Sequence, residues 1–451
     1  MHKISRENIE KWSLRYYFTK IYADFILKFF FPKRIVGLEK VDFNDILIFA
    51  PNHQNALIDA LVLLAIRKWQ PVFLARADIF KKPFINKILT FLKILPIYRI
   101  RDGYENLQQN NDVFKKTVDV LNNRNGLVIL PEGSHAGVRR LRQLKKGIAR
   151  IAFGAEDSSE KSLNIKIVPV GIEYSHYYKF GSPMLIRFGE PIPISDYYLK
   201  SKENYAIAIR GLIDELALRM KKEMIDIENE EFYDQYEIIR IQGAISLLKQ
   251  QGTKINMETL FDAGKAIISA LDELQKNNED SFSNLMNCAK QLKKEIESAG
   301  FKEMPSFHEI NNQSSLIFQI PLLLITLPVF LYGIVNNIFP LGILTLISSK
   351  IKDPQFLSSF RYVVGFLLFP IFYLIQTIVF ALVSENGLWT LCYLASLPIS
   401  FFLMQKWRKL FFSMVNRSKL LSFRLSKPKV FLNLKDNFRK ITDYCKTVDL
   451  S

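Results

Sequence analysis

Cysteine is scarce. Cys288, Cys392 and Cys445 are the only three in 451 residues. Their number is odd and they lie far apart, which excludes a disulfide framework and a zinc cluster. The chain also lacks a P-loop and a G-x-G-x-x-G fingerprint, so neither of these phosphate-cradling motifs is on offer. Acidic residues are outnumbered, 44 against 61 Lys and Arg, for a formal net charge of +17. Charge of either sign disappears from Ser315 to Ser349, from Tyr362 to Ser384 and from Asn386 to Gln405. What the chain has in plenty is apolar surface: 49% of residues are hydrophobic and 36 are Phe. That composition excludes intrinsic disorder, which needs low hydrophobicity. The length allows about three domains at roughly 150 residues each, ample to bury a core.

An excess of positive charge points to an anionic partner, and its position says which. Residues 1–34 carry a net +5 and residues 403–451 a net +9, so the 368 residues between are close to neutral. Both basic ends border apolar sequence. Polybasic stretches beside a bilayer pair with anionic headgroups at about 1 kcal/mol per residue, so anionic membrane lipids are the expected partner. A nucleic-acid protein would carry its basic face within the folded domain, and no nucleic-acid partner is expected.

The run 12–31 mixes aromatics with Arg15, Lys20 and Lys28, just after Lys11. Charges interrupt it and no small-residue cleavage site follows, so it is not read as a signal peptide. Segment 1–34 is expected to be a basic amphipathic helix in the membrane interface, with Trp12, Tyr16, Tyr22, Phe29 and Phe30 as anchors. The alternative is an amphipathic helix docked on the core. The uncharged segments are long enough to enter a bilayer, since a span needs about 20 apolar residues. Within 313–405, residues 362–384 and 387–404 read as a transmembrane hairpin linked at Glu385 and Asn386. Lys350, Lys352 and Arg361 precede it and Lys406, Arg408 and Lys409 follow, which puts both flanks in the cytoplasm. For 315–349 a re-entrant hairpin broken at Asn336, Asn337 and Pro340 fits the charges. Residues 406–451 are expected to be a basic cytoplasmic tail.

Between the ends, residues 35–200 alternate strand and helix signals. Apolar runs at 46–50, 72–76, 94–98, 126–133 and 165–174 read as strands, the last ending at Pro169. Ala56–Lys68 and Val113–Asn122 read as helices. Strands separated by helices predict an α/β layer fold. Residues 201–312 are charged, nearly free of proline and helical in spacing, so a helical region is expected there.

Four clusters fall near predicted strand ends, where open α/β sheets place ligand crevices. In PNHQNALIDA (51–60), His53 follows a strand and Asp59 lies six residues on. An imidazole acts as a general base near neutral pH, and a carboxylate on its other nitrogen fixes the tautomer. The bland alternative is a surface histidine beside an unrelated helix aspartate. In LPIYRIRDG (95–103), Arg99 and Arg101 share a face if extended, and guanidinium forks suit phosphate. In ILPEGSH (129–135), Glu132 and Gly133 close a strand with a tight turn, followed by Ser134 and then Arg139 and Arg140. Such a turn with basic side chains suits a phosphate. A basic helix face meeting headgroups is the alternative. IVPVGIEY (167–174) carries Pro169.

In order and spacing these four clusters resemble the motifs of the glycerolipid acyltransferase family, PlsC-like, over about residues 35–200. The resemblance implies an acyltransferase αβ domain beside the membrane, and the charges flanking the hairpin put its catalytic domain on the cytoplasmic face. It implies that His53 deprotonates an acceptor hydroxyl and that Asp59 orients it. Arg99, Glu132 and Gly133 match motifs that bind the glycerol phosphate, with Arg101, Ser134, Arg139 and Arg140 as further candidates. Pro169 matches the motif on the acyl-donor side. No cofactor or metal is implied. Acyl-CoA or acyl carrier protein is the co-substrate, and glycerol phosphate or lysophosphatidic acid the acceptor. The first expectation is 1-acyl-glycerol 3-phosphate acylated to phosphatidic acid in phospholipid biosynthesis. The alternatives are glycerol 3-phosphate as acceptor, or an inactive membrane-anchored lipid-binding protein. Two positions depart from the pattern. The family usually has four residues between His and Asp, and here there are five. One extra residue turns a helical side chain by about 100°, so the loop after His53 must absorb it. The family's Glu-Gly-Thr-Arg becomes Glu132-Gly133-Ser134-His135, which keeps the hydroxyl and loses the permanent charge.

Overall fold

The computed structural model describes residues 9–65, 69–98, 109–135, 137–160, 162–301 and 316–449. They form two units, Met1–Asp226 with Asp353–Tyr362, and Ile227–Lys352 with Val363–Ser451.

The first unit is built on one sheet of eight strands: β1 (Lys33–Val36), β2 (Leu47–Pro51), β3 (Val72–Arg76), β4 (Ile94–Ile97), β5 (Leu127–Val128), β6 (Lys166–Tyr174), β7 (Met184–Phe188) and β8 (Ile192–Pro193). Their order is β1-β7-β6-β2-β5-β3-β4, with β8 also on β6. The run from β6 through β2, β5 and β3 to β4 is parallel, while β7 and β8 meet β6 antiparallel. Parallel strands are covered on both faces and so read as continuous apolar runs. That is why β2 is buried at every position. The helices of this unit are α1 (Leu14–Phe30), α2 (Ala56–Leu61), α3 (Pro83–Phe91), α4 (Gln109–Asn122), α5 (Gly147–Asp157), α6 (Ser195–Glu203) and α7 (Tyr205–Glu223). Ile48 and Ala50 of β2, Leu121 of α4, Ile148 and Ala152 of α5 and Leu212 of α7 meet in one core. The end of α7 runs so close to β6 that a Cβ on Gly171 would fall 1.6 Å from the Glu223 carbonyl oxygen, so only glycine fits there.

Several boundaries differ from the sequence reading. The α/β unit extends to Asp226 rather than 200, because α7 packs on the sheet through Leu212, Leu216 and Met220. Pro169 lies inside β6, opposite Ala50, and the strand runs on to Tyr174. Its carbonyl accepts from the Gly189 amide at 2.9 Å. On that side β8 has ended at Ile167 and β7 pairs only from Val170, so the missing proline N–H falls in a gap of the ladder.

Of the first 34 residues, Leu14–Phe30 form α1, which is buried along one side only. One side of α1 is buried through Tyr16, Lys20, Ala23 and Leu27. Trp12, Leu14, Phe18, Ile21 and Phe25 are exposed. Of the expected anchors, Tyr16 is thus turned into the protein, where its ring meets Phe91 edge-on.

The second unit has a helical part, α8 (Tyr233–Gln250), α9 (Met257–Asn277) and α10 (Glu279–Ser298), and an apolar part, α11 (Leu316–Ile325), α12 (Leu327–Ser348), α13 (Leu357–Ser384, whose residues through Tyr362 belong to the first unit) and α14 (Gly387–Ser426), followed by α15 (Pro428–Cys445). The expected tail is helical over most of 406–445. It continues α14 and then forms α15, which buries Phe431, Leu434, Phe438, Ile441 and Cys445. Burial of that stripe holds a basic helix in the bundle. Among the described residues, three helices are long and apolar enough to cross a membrane: Leu327–Ser348, Pro354–Ser384 and Gly387–Ser426. This points to a membrane location. The break between α13 and α14 falls at Glu385 and Asn386, with Asn386 capping α14 by accepting from the Trp389 amide. The break in 315–349, however, lies at Thr326 and not at Asn336, Asn337 or Pro340. Those two asparagines stay helical because their side chains find partners: Asn336 Oδ1 accepts from Tyr393, Asn337 Oδ1 from Tyr373, and Asn337 Nδ2 donates to Ser400 Oγ. Polar groups so paired are tolerated in an apolar surrounding.

Candidate active site

Strands β2, β5 and β6 are parallel neighbours, so the chain leaves all three at one edge of the sheet. His53 follows β2 by two residues, Glu132 follows β5 by four, and Tyr174 ends β6. Pro51 has no N–H to give, and Asn52 extends the ladder with its amide, which donates to the Val170 carbonyl at 3.1 Å, and with its side chain. Asn52 Oδ1 accepts from the Ile172 amide at 2.7 Å and Nδ2 donates to the Ile172 carbonyl at 3.2 Å. The backbone entering His53 is thereby fixed to β6.

His53 Nδ1 lies 2.9 Å from Asp59 Oδ2. The five intervening residues are absorbed at the start of α2. Asn55 has φ −137° and ψ 53°, and Ala56 takes a left-handed φ of 41°. An alanine there is strained, and the kink turns the first helical turn so that Asp59 faces back toward His53. The carboxylate then serves as a reverse cap. Asp59 Oδ2 accepts from the amides of Gln54 and Asn55 at 2.7 and 2.6 Å. Asp59 Oδ1 accepts from the Tyr174 hydroxyl at 2.7 Å. Asp59 is fully buried, and a buried carboxylate needs such a set of donors. With Nδ1 donating to Asp59, Nε2 carries the lone pair that can take a proton.

Glu132 is buried and accepts from the His53 amide at 2.7 Å through Oε1 and from the Arg142 amide at 3.3 Å through Oε2. It orients backbone on both sides of the site. Burial pushes its carboxyl up to about 8, against the pull of those two amides. Gly133 makes the turn with φ 68°, its amide donating to the Leu130 carbonyl at 3.1 Å. Ser134 Oγ accepts from Arg142 Nη1 at 2.7 Å, so the cation beside this hydroxyl is Arg142. His135 stands where the family pattern has arginine. Its ring centroid lies 5.2 Å from that of His53. Burial first, and the neighbouring His53 second, lower its pKa.

Arg139 is placed differently from expectation. It is buried, its Nε donates to Glu173 Oε1 at 2.6 Å, its Nη2 donates to the Tyr174 carbonyl at 2.6 Å, and its guanidinium covers the Tyr177 ring. A basic run looks like a solvated patch in sequence, but here one member is committed to the interior. Arg140 is half-buried in the same turn. Arg99 and Arg101 lie outside the described residues. Pro169 lies within β6 two residues before Gly171, upstream of the end where the dyad sits. Sequence reasoning missed Tyr174, Asn52 and Asn55. The polar cluster around His53 carried a signal for the asparagines, since polar residues at a buried strand end need partners.

Residues 33–173 match the family model described as Acyltransferase. Two curated proteins of Saccharomyces cerevisiae are similar. Glycerol-3-phosphate O-acyltransferase 2 is 23% identical over 195 residues, 43% of this chain and 25% of that protein. Glycerol-3-phosphate O-acyltransferase 1 is 26% identical over 165 residues, 36% of this chain and 21% of that protein. The chain spans about a quarter of the length of these relatives. The solved 1-acyl-sn-glycerophosphate (LPA) acyltransferase, PlsC, of Thermotoga maritima is 17% identical, with a TM-score of 0.33, over 48% of this chain and 83% of its own. The α/β unit is an acyltransferase domain. Through it the chain is similar to the glycerol-3-phosphate O-acyltransferases.

Proposed function

We propose that this chain transfers a fatty acyl group from an acyl thioester, acyl-CoA or acyl carrier protein, to a hydroxyl of a glycerol-phosphate acceptor. The observation that carries this reading is the His53 Nδ1–Asp59 Oδ2 bond of 2.9 Å at the carboxyl edge of the sheet. His53 Nε2 takes the acceptor's hydroxyl proton as that oxygen attacks the thioester carbonyl. The carbon–sulfur bond breaks as the tetrahedral intermediate collapses, and the proton passes to the leaving thiolate. General-base help of this kind is worth about 10²–10⁴-fold. Glu132 holds the His53 backbone, and Arg142 with Ser134 stands beside the turn as the phosphate-facing group. Gly133 keeps that turn open. Arg99 and Arg101 are further candidates for the phosphate from their motif.

Glycerol 3-phosphate is the acceptor we favour, because both yeast relatives are glycerol-3-phosphate O-acyltransferases. The second reading is 1-acyl-glycerol 3-phosphate giving phosphatidic acid. It draws support from the exposed apolar side of α1, which suits a site fed from a lipid surface. The proposed setting is a membrane whose cytoplasmic face carries the α/β unit. A panel of glycerol 3-phosphate, 1-acyl-glycerol 3-phosphate and other lysophospholipids, assayed with labelled acyl-CoA and acyl carrier protein on wild type and His53→Ala, tests both. Turnover on glycerol 3-phosphate that falls at least 100-fold in His53→Ala is expected. Wild-type turnover in His53→Ala removes the base assignment.

A further inference from the structure

The turn that seats Asp59 under His53 is not self-supporting. Helix α2 has six residues, and its N-cap, Asn55, makes no capping bond of its own. Ala56 beside it holds a strained φ of 41°. Helices this short are marginal in isolation, and uncapped N-terminal amides need partners. The partners come from the far end of the sequence. Ser359 Oγ accepts from the Leu57 amide at 3.1 Å. Ser358 Oγ donates to Asn55 Oδ1, across 303 residues of chain. On its other side Asn55 Nδ2 donates to the Tyr177 carbonyl at 2.9 Å, so Asn55 is clamped from two directions. Both serines are buried, at 3% and 6% exposure. The same segment sets Phe356 edge-on against His135, with ring centroids 4.8 Å apart. It also ties Tyr362 Oη to the Ala23 carbonyl of α1 at 2.6 Å.

We propose that Ser358 and Ser359 are positioning residues for the acyl transfer, supplying the cap that α2 lacks and holding Asn55 so that the strained turn at Ala56 keeps Asp59 in register with His53. This rests on the reading of His53 as the base. Nothing in the sequence pattern near His53 encodes the support, since no residue between Gln54 and Ala56 caps α2. Asp353–Tyr362 belongs to the same unit as the dyad and forms the missing wall of the turn. With the serines gone, the turn relaxes, the carboxylate rotates away, and the imidazole loses its fixed tautomer.

The test uses the full chain in detergent or nanodiscs. Ser358→Ala/Ser359→Ala is expected to lower kcat about 10- to 100-fold with KM within twofold, while the protein stays folded by circular dichroism. The downfield proton resonance of His53 Nδ1, assigned by its loss in His53→Gln, is expected to move upfield. Adding Ala56→Gly, which adopts positive φ without strain, is expected to return at least threefold of the lost kcat. If the double variant does not fold, the two single variants are read in the same way. An unchanged kcat with an unchanged resonance overturns the proposal, and so does a lower kcat with the resonance unmoved, which marks general packing. Should the wild type transfer no acyl group to any acceptor, the functional reading fails and the resonance alone decides the positioning.

Discussion

Tyr174 and Asp59, 115 residues apart in the chain, share a hydrogen bond of 2.7 Å in which the phenol donates to Oδ1. Both side chains are fully buried. Tyr174 closes the last open position on a carboxylate that already serves His53 and two amides. The phenol's own proton is held there firmly, since burial first and Asp59 second push its pKa well above the usual value. It acts as a fixed donor at every working pH.

Tyr174→Phe is therefore expected to destabilise the protein by about 1–3 kcal/mol, the cost of stranding a buried acceptor. It is also expected to lower kcat, because Asp59 can turn. Thermal unfolding and acyl-transfer kinetics measure the two effects. A variant as stable and as active as wild type would show that this bond is dispensable.

Glu132 gives a pH prediction. Its carboxyl rises from 4.5 to about 8 in the folded chain because of burial. Between those values the folded state keeps a proton that the unfolded state has lost. The contribution is whole below pH 4.5 and falls as pH rises toward about 8, with a slope of at most about 1.4 kcal/mol per pH unit for one proton. Glu132→Gln mimics the neutral form and is expected to flatten this slope. Denaturant titrations at pH 5, 6.5 and 8 compare the two proteins. Parallel slopes would show that Glu132 does not titrate there.

Arg139 and Glu173 form a buried pair, so removing one side strands the other. Arg139→Met is expected to cost about 3–5 kcal/mol, and Arg139→Met/Glu173→Leu to recover most of it. KM for the acceptor should stay within twofold in any folded variant of the pair, because the guanidinium faces Glu173 and the Tyr174 carbonyl. A large rise in KM with stability intact would return Arg139 to the phosphate site.

The strands were legible because parallel strands are buried on both faces. The runs 46–50, 72–76 and 94–98 became β2, β3 and β4 within a residue at each end. The dyad was legible as a residue pair but not as a contact. A regular helix from Gln54 would have turned Asp59 away, and only the backbone at Asn55 and Ala56 shows how the extra residue is absorbed. Helix α15 was hidden by its charge. Phe431, Leu434, Phe438, Ile441 and Cys445 recur at helical spacing, a signal that the basic composition of the segment masked.

The α/β layering, the His53 and Asp59 pair, the Glu132-Gly133 turn and the three uncharged stretches are written along the chain. Each is a local pattern of apolar runs, residue types and spacing. Which groups meet follows from the fold: Tyr174 on Asp59, Glu132 on the His53 amide, Arg139 in the interior, and Ser358 and Ser359 on the turn after His53. Those contacts depend on sheet order and on segments hundreds of residues apart. A hydrogen bond reaches about 3 Å, and no linear pattern reports which distant atoms the fold brings within it.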